Sequence, residues 1–355
     1  MNDLNYLVEL VNKAFDSGDY EKSLEYFDEL IFYYGDSVEL YNNRGLAKSR
    51  LGMYEEAIND FEKVISIDSK YVSAYNNIGM VKHNLGMYEE AVKYYRKALE
   101  IDSNCIQAYN NMGLAKHSLR MYEEAIKYYT KAVEISPNVH TYNNIGLVNN
   151  DLGMYENAIE YFNKVIELDK NYFKAYYNIG LSKYNLKLYE EAIEYFNKTI
   201  ELDNKNIYAY NNIGIVKQDL GRHNEALEYF SKALSLDTNY SKAYYNRGLS
   251  KIKLNLYEEA IEDFDKCLSL EPKYYAVYYM RGETKLKLKL YEEAEEDFSK
   301  YIDANCTNYE VYFYRGLARY KLSDYHNAVM DFEKAHNNRK AFILKIISKI
   351  KSMFK

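Results

Sequence analysis

Seven asparagines recur at one phase of a repeating pattern: Asn43, Asn77, Asn111, Asn144, Asn178, Asn212 and Asn246. A primary amide carries both donor hydrogens and an acceptor oxygen. A row of them can therefore hold an extended peptide backbone without reading its side chains. One residue before each stands a second row: Asn42, Asn76, Asn110, Asn143 and Asn211 in some repeats, Tyr177, Tyr245, Tyr279 and Phe313 in others. Aromatics in such a row can anchor ligand side chains, or they can pack between neighbouring helices. A third row is Lys48, Lys82, Lys116, Lys183, Lys217, Lys251 and Lys285. Each stem can lie against an adjacent helix while its ammonium reaches a glutamate such as Glu55 or Glu56. His83 and His117 hold equivalent places and could approach each other, but two imidazoles with no third ligand make a weak metal signal.

Catalytic chemistry is not indicated. The sequence has no HExxH, no Walker phosphate loop, no GxGxxG and no nucleophile–base arrangement. The paired glutamates of the YEEA segments suit the positive end of a helix dipole rather than acid–base work. Cys105, Cys267 and Cys306 are far apart, odd in number and without CxxC spacing, so neither a disulfide framework nor a zinc site is expected. The expectation is a chain with no catalytic residues, no metal and no cofactor.

Charge narrows the partners. The 355 residues carry a formal charge of −7, yet residues 339–355 contain six Lys and Arg and no Asp or Glu, so the remainder carries −13. Nucleic acid needs a basic stripe and is not expected as a partner. The segment AFILKIISKIKSMFK, residues 341–355, places Phe342, Ile343, Ile346, Ile347, Ile350, Met353 and Phe354 on one helical face with most lysines opposite. It reads as a helix capping the last apolar surface of a repeat array, or as a basic amphipathic anchor for a membrane surface. The N-terminal residues lack a basic region followed by an apolar run. A cytoplasmic location is expected.

The rows need elements to position them, and a strict period supplies these. Gly45, Gly79, Gly113, Gly146, Gly180, Gly214, Gly248, Gly282 and Gly316 are 34 residues apart, with one interval of 33. Twelve residues after each comes an Ala, Ala57 to Ala328, and four further on an aromatic, Phe61 to Phe332. Four before each glycine is a Tyr. A degenerate copy precedes them at about residues 4–37, with Val11, Ser23 and Phe27 in the three places. Each repeat reads as two helices. In the first clear one, helix A runs from about Glu39 to Leu51, Gly52-Met53 breaks the chain, and helix B runs from about Glu55 to Ile67. Helix B puts Ala57, Ile58, Phe61, Val64 and Ile65 on one face. Mid-helix glycine costs about 1 kcal/mol relative to alanine. Nine such glycines imply a contact with helix B, at its alanine, too close for a Cβ. The asparagines, two residues away, lie about 200° round the helix from that contact.

The motif Tyr-x-x-x-Gly in helix A, then Tyr, Ala and Phe in helix B with Asp or Pro closing, resembles the tetratricopeptide repeat. Residues 74–102, AYNNIGMVKHNLGMYEEAVKYYRKALEID, show it well, and the resemblance spans about residues 4–340. It implies an all-α, right-handed superhelical solenoid whose A helices line a concave groove for peptides or partner domains. The asparagine row resembles the amide ladder in the tetratricopeptide region of O-linked N-acetylglucosamine transferase. The family's carboxylate clamp needs Lys and Arg where Ser73 and Asn77 stand, which argues against chaperone tails as ligands. The reading is therefore ten repeats over residues 1–340 and a capping helix over 341–355. The expected function is a protein-interaction scaffold with Asn43, Asn77, Asn111, Asn144, Asn178, Asn212, Asn246, Tyr177, Tyr245 and Tyr279 as peptide-binding residues. Two alternatives are the recognition partner of a separate transferase and a membrane-associated assembly factor using the basic tail.

Overall fold

The computed structural model describes residues 2–304, 309–335 and 346. Among the described residues are twenty α-helices and no strands. The A helices are α1 (Asn2–Asp16), α3 (Val38–Arg50), α5 (Val72–Asn84), α7 (Ile106–Ser118), α9 (Val139–Asp151), α11 (Phe173–Asn185), α13 (Ile207–Asp219), α15 (Ser241–Lys253), α17 (Tyr275–Lys287) and α19 (Glu310–Lys321). Between them run the B helices α2 (Tyr20–Tyr34), α4 (Tyr54–Ile67), α6 (Tyr88–Ile101), α8 (Tyr122–Ile135), α10 (Tyr155–Leu168), α12 (Tyr189–Leu202), α14 (His223–Leu236), α16 (Tyr257–Leu270), α18 (Tyr291–Asp303) and α20 (Tyr325–Lys334). The chain forms two compact bodies, Met1–Ser182 and Lys183–Lys355. Within each, an A helix packs on its own B helix, B packs on the next A, and successive A helices touch, as α3 does α5 and α15 does α17.

The punctuation has local causes. The residue that ends the A–B turn in the left-handed region is glycine in several repeats, Gly52 and Gly86 among them, and Arg120, Lys187, Asn255, Lys289 or Ser323 in others. The aspartate closing helix B turns the chain toward the next repeat: Asp68, Asp102 and Asp169 each accept a bond from the backbone N–H two residues on, at 2.9 Å. Pro137 and Pro272 follow the C-caps Ser136 and Glu271, where no further helical N–H is needed.

The conserved spacing of glycine and aromatic marks the core. The rings Phe61, Tyr95, Tyr129, Phe162, Phe230, Phe264 and Phe298 are all but fully buried. Each lies against the glycine of its own repeat. A Cβ on Gly45 would stand 2.7 Å from the Phe61 ring, and one on Gly113 2.6 Å from that of Tyr129. This corrects the expectation that the helix B alanine is the close partner: the aromatic ring fills the missing Cβ. The alanine is buried beside it. Each ring so covered contributes about 2–3 kcal/mol of burial.

Two expectations lie partly outside the described residues. Of the segment 341–355 only Ile346 is described. It is buried in one cluster with Phe313, Ala328, Phe332 and Ala335. Cys306 lies outside the described residues too. Among those described, no helix is long and apolar enough to cross a membrane.

Candidate interaction surface on the A helices

The two asparagine rows meet across the seam between neighbouring A helices. Asn77 Nδ2 donates to Asn42 Oδ1 at 2.9 Å, Asn111 to Asn76 at 2.9 Å, Asn178 to Asn143 at 3.3 Å and Asn246 to Asn211 at 3.2 Å. The donor always comes from the later repeat. The acceptors Asn42, Asn76, Asn143 and Asn211 are buried, whereas Asn111, Asn144, Asn178, Asn212 and Asn246 are half-buried and Asn43 is exposed. Asn77 is the one member of the predicted row that is itself buried. The ladder thus ties repeats together. Each such bond engages one of two donor hydrogens on Nδ2 and leaves the amide oxygen out of it. In α9, where Thr141 stands in place of the usual small apolar residue, Thr141 Oγ1 donates to Asn110 Oδ1 at 2.7 Å and closes the gap in the seam.

The tyrosines that replace the inner asparagines fill the same space by packing. Tyr245 lies 5.0 Å from Tyr274 and 6.2 Å from Phe264 between ring centroids. Tyr279 meets Tyr301 at 5.6 Å, Tyr314 at 5.9 Å and Phe298 at 6.3 Å. Burial, with nearby Glu283, pushes the Tyr279 phenol well above its ordinary range. Tyr177 is half-buried.

The lysine row is engaged within each repeat. Lys82, Lys116, Lys183 and Lys217 reach the glutamate just before the alanine of the following helix, Glu90, Glu124, Glu191 and Glu225, at 2.7–3.0 Å. Lys48 departs from the expectation of Glu55 or Glu56. It pairs with Asp60 at 2.7 Å, as Lys251 does with Asp263 and Lys285 with Asp297, both at 2.9 Å. The reason is a buried ion pair present in only some repeats. Arg44, Arg247, Arg281 and Arg315, each just before the glycine, donate through Nε and Nη2 to both oxygens of Asp60, Asp263, Asp297 and Asp331. Their Nη1 reaches back to the preceding B helix at Asp28, Ser231, Asp265 and Ser299. The signal was in the sequence. Repeats with Arg before the glycine have Asp sixteen residues on, and repeats with Ile or Met there have Tyr: Tyr94, Tyr128, Tyr161, Tyr195 and Tyr229.

The two histidines do not pair with each other. His83 Nε2 faces Ser118 Oγ at 3.2 Å and His117 Nε2 faces Asp151 Oδ2 at 2.6 Å. Among the described residues no group of three or more His, Cys, Asp and Glu is placed to hold a metal ion. In later repeats Lys174 and Lys242, both exposed, take the place of Ser73.

Within residues 183–355 the A-helix seam opens into a hollow of about 250 Å³ between α13, α15 and α17. Gln218, Leu249, Ile252, Lys253, Met280, Glu283, Thr284 and Lys287 line it. Lys253 and Lys287 belong to a row five residues after each glycine that reads Arg50, Asn84, Ser118, Asp151, Asn185, Asp219, Lys253, Lys287, Lys321 along the chain.

Models of the tetratricopeptide repeat match residues 36–103, 70–138, 104–171, 138–205, 171–239, 241–274 and 275–305. Among solved structures, a tetratricopeptide repeat protein from Parabacteroides merdae is 20% identical, with 70% of this chain and 98% of that one covered, at a TM-score of 0.55. The C-terminal part of a repeat protein from Cytophaga hutchinsonii is also 20% identical, covering 68% and 98%, at 0.53. These are likenesses of fold. MamA from Desulfovibrio magneticus is 25% identical over 48% of this chain and 96% of its own, at 0.45. No curated protein matches the chain.

Proposed function

This chain belongs to the tetratricopeptide repeat family, and from that premise we propose that it is a protein-interaction scaffold that holds an extended peptide segment along its A helices. The observation that carries the reading is the half-buried amide row, Asn111, Asn144, Asn178, Asn212 and Asn246, set at one phase of successive A helices. Amides matched to the backbone's own donors and acceptors favour a ligand held by its main chain. The acidic remainder of the chain argues for protein rather than nucleic acid. On this reading the chain is not itself a catalyst and works in the cytoplasm, and any enzyme involved is a separate partner. Burial of Ile346 against Phe313 and Phe332 supports a cap at that position rather than a membrane anchor.

The test is site-directed photo-crosslinking in native cell extract. A photoreactive residue at Asn144 should capture defined peptide segments of partner proteins, and one at Lys97, exposed on α6, should not. Replacing Asn111, Asn144 and Asn178 with Ala should weaken a captured peptide by about 0.5–1.5 kcal/mol per lost bond. The same change removes the donors to Asn76 and Asn143, so a modest fall in stability is expected as well. Equal capture from both positions, or unchanged affinity in a folded triple variant, sinks the proposal.

A further inference from the structure

The hollow between α13, α15 and α17 is apolar inside and cationic at its rim. Leu249, Ile252 and Met280 supply its walls from two helices, and Thr284 forms a buried floor. The Thr284 hydroxyl already donates to the Met280 carbonyl at 2.7 Å, so the floor asks for no polar partner. An apolar cavity of about 150 Å³ accommodates benzene. A space of about 250 Å³ therefore admits a side chain the size of leucine or phenylalanine.

The rim lysines differ from every lysine of the inner row. Lys251 and Lys285 are held by carboxylates at 2.9 Å. Lys253 and Lys287 are exposed and have no carboxylate within ion-pair distance among the described residues, and the Lys287 ammonium lies 5.0 Å from the Tyr257 ring centroid. Glu283 is the one acidic residue in the lining. Lys321 repeats the charge one repeat on, whereas the same row carries Asp151 and Asp219 earlier in the chain. The basic residues of 339–355 carry the same sign as such a rim, so charge favours an acidic partner over the chain's own tail.

We infer that this hollow is a selectivity pocket, taking one apolar side chain of an extended partner segment while Lys253 and Lys287 take an Asp or Glu next to it. The inference rests on the peptide-holding reading above and adds what one stretch of the surface selects.

A random dodecapeptide display library, panned on the full chain, tests it. The wild type should enrich peptides in which Leu, Ile, Met or Phe stands beside Asp or Glu. The Lys253→Glu, Lys287→Glu variant should enrich the same apolar residue beside Lys or Arg, a reversal that a folding defect cannot produce. In a fluorescein-labelled copy of the enriched peptide, Ala for the apolar residue should weaken binding about ten- to a hundredfold. Each lysine reversal alone should weaken it about fivefold. Enriched peptides without the apolar–acidic pair, or a pair still selected after charge reversal, overturn the pocket and leave the scaffold reading standing. If no peptide is enriched at all, the peptide-holding reading falls and the pocket with it.

Discussion

Removing Asp297 should destabilise its repeat far more than a surface change would. Arg281 donates to Asp297 at 2.9 and 2.5 Å, and the two side chains are 13% and 1% exposed. Taking one partner from a buried pair typically costs about 3–5 kcal/mol. Arg281 keeps its bond to the half-exposed Asp265, and Lys285 keeps Glu293 at 3.5 Å. Asp297→Ala should therefore fall at the lower end, about 3 kcal/mol. The chain itself supplies the rescue. Arg281→Ile with Asp297→Tyr copies the pair Ile213 and Tyr229 and should come within about 1 kcal/mol of wild type. Lys285 should then close on Glu293 as Lys217 does on Glu225, at 2.7 Å. Native-state hydrogen exchange of α17 and α18 is the assay, because opening in such arrays is local. A loss below about 1 kcal/mol in Asp297→Ala, or a double variant as unstable as the single, would refute the argument.

Two smaller predictions concern buried groups. The Tyr129 hydroxyl is buried without a hydrogen-bond partner among the described residues, and burial pushes the phenol well above its ordinary value. Tyr129→Phe, the residue most other repeats use, should raise the local exchange free energy by about 1 kcal/mol, and a loss of stability would show a missed partner. Burial, and secondarily the charge of Glu271, pushes the Cys267 thiol up to about 12. At pH 8 only roughly one in ten thousand is thiolate. Maleimide labelling followed by mass spectrometry should modify the partly exposed Cys105 and spare Cys267 until the protein is denatured, and rapid labelling of Cys267 in the folded state would contradict its burial.

The helix pairs were legible because the glycine column is steric. A Cβ at Gly45 or Gly113 would meet an aromatic ring, so the column and the ring column imply each other across sixteen residues. The choice between ring and alanine as the close partner was not legible, since both lie on one face of helix B. The asparagine row was visible as a row, but its function was not. That Asn77 bonds Asn42, one repeat back and one residue early, depends on how the A helices stagger. The arginine–aspartate pairs escaped for a different reason. They occur in only some repeats, and a reading built on what every repeat shares passes over what divides them. The hollow lies beside Met280, where the amide row gives way to methionine, and only coordinates reveal it as space.

The backward reach of the arginines limits how such a chain can be cut and rejoined. Arg44, Arg247, Arg281 and Arg315 each take a second oxygen from the B helix of the repeat before, at Asp28, Ser231, Asp265 and Ser299. Repeats with Ile or Met before the glycine ask for no such oxygen and are preceded by Glu62, Arg96, Thr130, Asn163 and Asn197 at the same place. Copying the repeat of Arg281 behind the one containing Arg96 would therefore set guanidinium against guanidinium at a junction between helices. The array is composed of interchangeable shapes but not interchangeable neighbours: an arginine repeat can follow one that offers a side-chain oxygen at that place, and is barred from following the one with Arg96.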